Sequence, residues 1–126
     1  MPGIDAVVAW AIILAGALAP AEAANWVEVG IATNGVRALV DTDSIVAGKG
    51  MVEVRQRFVL PRPGTGRVAH VDQHVIYDCR AATVRPLNSR EFDAAGRLLR
   101  QEGAREHPVY PVGDKTLPRY IFDVLC

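Results

Sequence analysis

Residues 51–60, MVEVRQRFVL, decide the fold class. Val52, Val54 and Phe58 fall on one side of a period-two pattern, with Glu53, Arg55 and Arg57 on the other. Such alternation predicts a strand with one face on a core and one toward water, as in an antiparallel sheet covered on a single side. Immediately upstream, Gly48-Lys49-Gly50 marks a turn. Before it, Asp41-Thr42-Asp43-Ser44 is turn chemistry, because short polar side chains bond their own backbone. Residues 37–41 read as a second strand, reached through Thr33-Asn34-Gly35-Val36, where Asn-Gly accepts the positive φ of a tight hairpin. Residues 25–31 alternate Trp26, Glu28 and Gly30 against Val27, Val29 and Ile31, predicting a strand whose apolar face carries the last three.

Downstream, PRPGTGR at 61–67 cannot lie inside a sheet and predicts an exposed loop. The strand pattern resumes over 70–77, with Val71, Val75 and Tyr77 on one face and His70 and His74 on the other. A further strand is expected over 83–92. FDAAGRLL at 92–99 then reads as a hairpin with Gly96 in the left-handed region. Residues 101–113, with Pro108 and Pro111, predict irregular chain or an edge strand. The tail changes period: Leu117, Tyr120, Ile121, Val124 and Leu125 form one helical stripe, with Asp114 or Thr116 as cap and Pro118 in the first turn. A helix this short needs a sheet to lie on. The pattern predicts an α+β domain, a mostly antiparallel sheet of about six strands with one C-terminal helix packed on a face.

Two features of the whole chain of 126 residues bound its setting. Residues 6–19 are uncharged and apolar, too short a run to span a bilayer comfortably, and Ala21-Glu22-Ala23 follows as a small-residue cleavage site. This predicts a signal peptide over 1–23, although its start carries Asp5 and no basic residue, and a domain over 24–126. No cysteine lies near the cleavage site, so no lipid anchor is expected. The leader holds Asp5 and Glu22, which leaves 14 basic against 12 acidic side chains in the remainder. The arginines concentrate between Arg55 and Arg105, an excess that suits an acidic partner surface or simply a solvated face. No nucleic-acid motif accompanies them.

Cys79 and Cys126 are the only cysteines, too far apart for a CxxC redox pair and too few for a structural zinc site. A bridge between them would pin the far end of the helix and close a loop of about 47 residues, contributing about 4 kcal/mol by the chain-entropy model. Enzyme chemistry finds little support. Ser44 and Ser89 are the only serines and neither sits in a nucleophile elbow. A disulfide would consume Cys79, and Asp41 with Asp43 lacks an EF-hand frame. His70 and His74, four apart on a strand, are the one pair able to ligate a metal or haem iron, though solvated strand histidines commonly look the same.

Taken in order, NWVEVG, ALVDTDSI, Asp78-Cys79-Arg80, NSREFDAAGRLL and the terminal helix ending on Cys126 resemble the surface-adhesin protein E-like family of exported bacterial domains. The resemblance spans 25–126 and implies a sheet with its helix tied down by the Cys79–Cys126 disulfide. It also implies a non-enzymatic module in the periplasm or at the bacterial surface that binds host or envelope proteins, with haem binding and homodimers attributed to some members. The family's binding region maps to about 74–90 here, where Arg80, Arg85 and Arg90 are the basic residues. The missing lipid-anchor cysteine brings the chain nearer to plain periplasmic relatives of unknown role; a second reading, resting on His70 and His74, is a periplasmic small-ligand or haem-binding protein.

Overall fold

The computed structural model describes residues 24–62, 67–103 and 108–126. The expected leader over 1–23 and the middle of the 61–67 loop lie outside the described residues. Eight strands form one antiparallel sheet: β1 (Trp26–Ile31), β2 (Arg37–Asp41), β3 (Val46–Gly48), β4 (Met51–Val59), β5 (His70–Asp78), β6 (Thr83–Phe92), β7 (Leu98–Glu102) and β8 (Tyr110–Pro111). They run in the order β1-β2-β4-β5-β6-β7, with β3 beside β4 and β8 beside β6. The single α-helix among the described residues, α1 (Leu117–Leu125), lies across β1 and β2. The expected architecture is therefore the observed one, with two strands more than the six expected.

Those two are short. β3 has three residues and β8 two, below the length at which a period can be read. β3 folds back on β4 through Lys49 and Gly50, both at positive φ (56° and 77°), the conformation of a two-residue hairpin turn.

The core lies between sheet and helix. Ala38, Val40, Val54, Val75 and Tyr77 project from the central strands onto Ile121 and Phe122 of α1, with Val112 closing one side. Burying this apolar surface holds the helix in place. The helical stripe is rotated from the expected one. Phe122 is buried in it and Val124 is 58 % exposed. The cause is at the sheet: Phe122 packs against Tyr77, ring centroids 6.2 Å apart, while Tyr120 turns toward β1 and donates its hydroxyl to the Ile31 carbonyl at 3.3 Å. Thr116 occupies the N-cap position, but its hydroxyl donates to the Gly113 carbonyl and leaves the first turn without a side-chain cap. Cys126, just past the helix, is bonded to Cys79 at the end of β5.

β1 departs from simple alternation. Its register with β2 slips between Glu28 and Gly30, so that Val29 is an extra residue. The slip puts Gly30 opposite Ala38 on the helix side and turns Ile31, opposite Arg37, to the other face. The expected apolar face of Val27, Val29 and Ile31 is thus broken, and Ile31 is exposed.

One polar chain crosses the core. Tyr77 donates its hydroxyl to Gln56 Oε1 at 2.5 Å, Gln56 Nε2 donates to Gln73 Oε1 at 2.9 Å, and Gln73 Nε2 donates to Ser89 Oγ at 3.5 Å. Gln56 is only 1 % exposed, so this pairing is what makes its burial tolerable.

Candidate functional site

The face of the sheet opposite α1 has no covering layer among the described residues. Residues paired across neighbouring strands share a face, so the register places Arg55 and Arg57 of β4 beside His74 and Asp72 of β5, and these beside Asn88 and Arg90 of β6. β6 has one residue more than β5 between the pairs Val75–Pro86 and His74–Asn88, which leaves Leu87 unpaired. This bulge resets the parity of the strand. Arg85 and Arg90, five apart and so on opposite faces of a regular strand, both pair with residues of the open face, Ile76 and Asp72.

Most charge on this face is matched. Arg57 donates two bonds to Asp72, Nε to Oδ1 at 2.6 Å and an amino group to Oδ2 at 2.8 Å. Arg55 reaches Asp41 at 3.5 Å, and Asp41 also accepts from the backbone N–H groups of Asn25 and Asp43. His74 Nε2 lies 2.6 Å from Glu53. Trp26 lies under both guanidinium groups of β4, 4.3 Å from Arg57 and 5.6 Å from Arg55, a cation–π arrangement. At the far end His70 stacks on Phe92 with ring centroids 4.9 Å apart, and the Arg90 guanidinium stands 5.6 Å from the same ring. Burial and the neighbouring Arg57 charge push the His70 imidazole below its ordinary pKa, against the pull of Asp72. Arg85 and Arg90 have no carboxylate partner among the described residues.

Of the sequence-predicted residues, Arg85 and Arg90 share the open face, opposite Ile76 and Asp72, while Arg80 sits in the β5–β6 turn beside Gly50. His70 and His74 do share a face, as expected, but each is turned to its own carboxylate. Among the described residues no group of three or more His, Cys, Asp or Glu is placed to hold a metal ion. The recess beside His74, lined by Arg55, Asp72, Gln73, His74, Asn88 and Arg90, has a volume of about 80 Å³. A flat polar face with so small a recess does not fit haem, which needs an apolar cleft of roughly several hundred Å³. Ser44, weighed as a nucleophile, donates to the Asp41 carbonyl and accepts from the Arg55 N–H, a structural role. The β1 alternation already set Trp26 opposite Val27, whereas Asn88 and Phe92 carry no such mark as members of this face. The only signal for them is cross-strand register, which a single strand does not carry.

A larger cleft, about 460 Å³, opens between the β1–β2 turn and the start of α1. Ala32, Asn34, Lys115, Leu117 and Tyr120 line it, together with Arg119, which is already paired with Asp123 at 2.9 Å and Asp114 at 3.6 Å.

Among the described residues, a one-layer sheet braced by a single α-helix presents an arginine-rich open face. A model of the surface-adhesin protein E family matches residues 26–126, and the chain belongs to that family. No curated protein and no solved structure matches the chain significantly. No helix among the described residues is long and apolar enough to cross a membrane.

Proposed function

We propose that the chain is an exported, non-enzymatic protein-binding module that holds a host or envelope protein on the open face of its sheet. Residues 1–23 direct export and are removed, and the domain over 24–126 acts in the periplasm or at the cell surface. One observation carries the reading: the β6 bulge puts Arg85 and Arg90, both without carboxylate partners among the described residues, on a face already lined by Arg55, Arg57 and Trp26. Flat faces rich in Arg and Trp are typical of protein recognition rather than of small-molecule chemistry. Membership in a family of surface adhesins points the same way.

The test is binding of the purified domain to immobilised extracellular-matrix and serum proteins. Saturable, salt-sensitive binding lost on combined charge reversal at Arg80, Arg85 and Arg90 is expected. Absence of saturable binding, or binding indifferent to those reversals, overturns the proposal. A second reading, small-ligand binding, is favoured by the 460 Å³ cleft at the start of α1, which lies in the usual size range of about 300–1,000 Å³. Thermal shifts on screening small metabolites, abolished by Leu117→Glu, would support it.

A further inference from the structure

We infer that the recess between Arg55, His74, Asn88 and Arg90 is a carboxylate subsite, which receives one Asp or Glu side chain of an acidic partner protein. The inference rests on the reading of the open face as a protein-binding surface and names the chemistry of its central contact.

The donors are in place. Arg55 commits one amino group to Asp41 at 3.5 Å, and a guanidinium has five N–H donors. Asn88 lines the recess with an amide that makes no side-chain hydrogen bond among the described residues. Arg90 lines it with a guanidinium that has no ion-pair partner among the described residues and stands over the Phe92 ring. The one acidic lining residue, Asp72, is already neutralised through two bonds from Arg57. Asn88 and Arg90, two apart on β6 and both beyond the bulge, share the open face by ordinary strand alternation, beside His74 and Asp72.

Charge and size select the ligand. The arginines of β4 are balanced by Asp41 and Asp72, and Glu53 beside His74 does not line the recess, which leaves Arg90 as the lining cation without a carboxylate partner among the described residues. A monoanion matches it. A phosphate dianion or a row of sulfates would meet Asp41, Glu53 and Asp72 with only Arg85 as further compensation. The volume of about 80 Å³ admits a carboxylate group and not a sugar ring. A planar carboxylate also suits the forked donors of arginine.

The experiment is an NMR titration of the purified domain, following the Asn88 side-chain amide and the arginine Nε–H signals. The probes are a glutamate-rich octapeptide, acetate, and a heparin-derived oligosaccharide. The peptide should give saturable shifts at Asn88, Arg90 and Arg55. Affinity should fall about tenfold in Arg90→Gln and in Asn88→Ala, as expected for the loss of a charge-assisted bond, and stay unchanged in Lys115→Gln. Acetate should move the same signals at much higher concentration. Peptide shifts that survive both substitutions, no saturable shift, or preference for the oligosaccharide would each overturn the inference. The titration uses no matrix protein, so its failure is separable from that of the adhesin reading. A domain that binds matrix protein through another surface would leave these signals unmoved and still bind on the plate.

Discussion

The ring of Tyr120 rests on the bare backbone of Gly30, so that a Cβ at residue 30 would meet Tyr120 Cγ at 2.6 Å and Tyr120 Cβ at 3.0 Å. The atoms in the way are the root of the side chain, fixed close to the helix backbone, and not a mobile tip. Gly30→Ala must therefore lift α1 from β1. Overpacking of this kind costs about 1–3 kcal/mol, and urea denaturation should register that loss. Tyr120→Ala together with Gly30→Ala should recover part of it, since the obstructing ring is gone.

The Cys79–Cys126 bridge spans 47 residues of sequence, which the chain-entropy model converts to about 4 kcal/mol. Cys126→Ser should lower the stability by about that amount, measured as a shift in the urea midpoint. Amide exchange should accelerate first in α1, because nine residues of helix are not stable without their contacts.

Burial raises the pKa of the Tyr77 phenol well above its ordinary value, partly offset by its bond to Gln56. A raised phenol pKa means that the stability it contributes is intact below about pH 10 and declines as the unfolded chain ionises above it. Tyr77→Phe should remove this alkaline slope. At neutral pH the same substitution leaves Gln56 Oε1 without its donor, a loss of about 1–3 kcal/mol. A pH series of thermal melts separates the two effects.

Acid should act in two windows. The His70 pKa is lowered by burial and by Arg57, so the folded state resists its protonation and stability begins to fall below about pH 6.5. The Asp93 carboxylate is held below its usual range, chiefly by the Arg97 backbone N–H, with its side chain and the Ala95 N–H adding to this. Its contribution is present above about pH 4 and is lost only at lower pH. His70→Gln should flatten the first window and Asp93→Asn the second in acid-unfolding curves.

The arginines of the proposed binding region should not be equivalent. Single reversals Arg85→Glu and Arg90→Glu place a negative charge on the open face and should each weaken partner binding by about tenfold, whereas Arg80→Glu in the β5–β6 turn should have a much smaller effect. Surface plasmon resonance at two salt concentrations distinguishes the three.

What was legible in the sequence follows from what a period can encode. Val52, Val54 and Phe58 against Glu53, Arg55 and Arg57 announce a strand and its two faces, and the structure keeps every one of them in place. The Asp93–Gly96 turn is equally local, since Asp93 accepts from the backbone within four residues and Gly96 supplies φ of 85°. Parity across a bulge is different. Nothing within RPLNSR announces that Leu87 will be left unpaired, because that is decided by the neighbouring strand, and so the shared face of Arg85 and Arg90 stayed hidden. The same applies to Gly30, whose importance comes from a tyrosine ninety residues away, and to Phe122, chosen over Val124 by the position of Tyr77.

The disulfide and the helix together tie the edge of the sheet to its middle. Tension applied at β1 passes through the Gly30–Tyr120 contact and the Ile31 carbonyl into α1, and from Cys126 covalently into β5. An edge strand that would otherwise peel off one hydrogen bond at a time is thereby coupled to the centre of the fold. Reduction would cut that mechanical link and leave β1 to hold by its own pairing with β2.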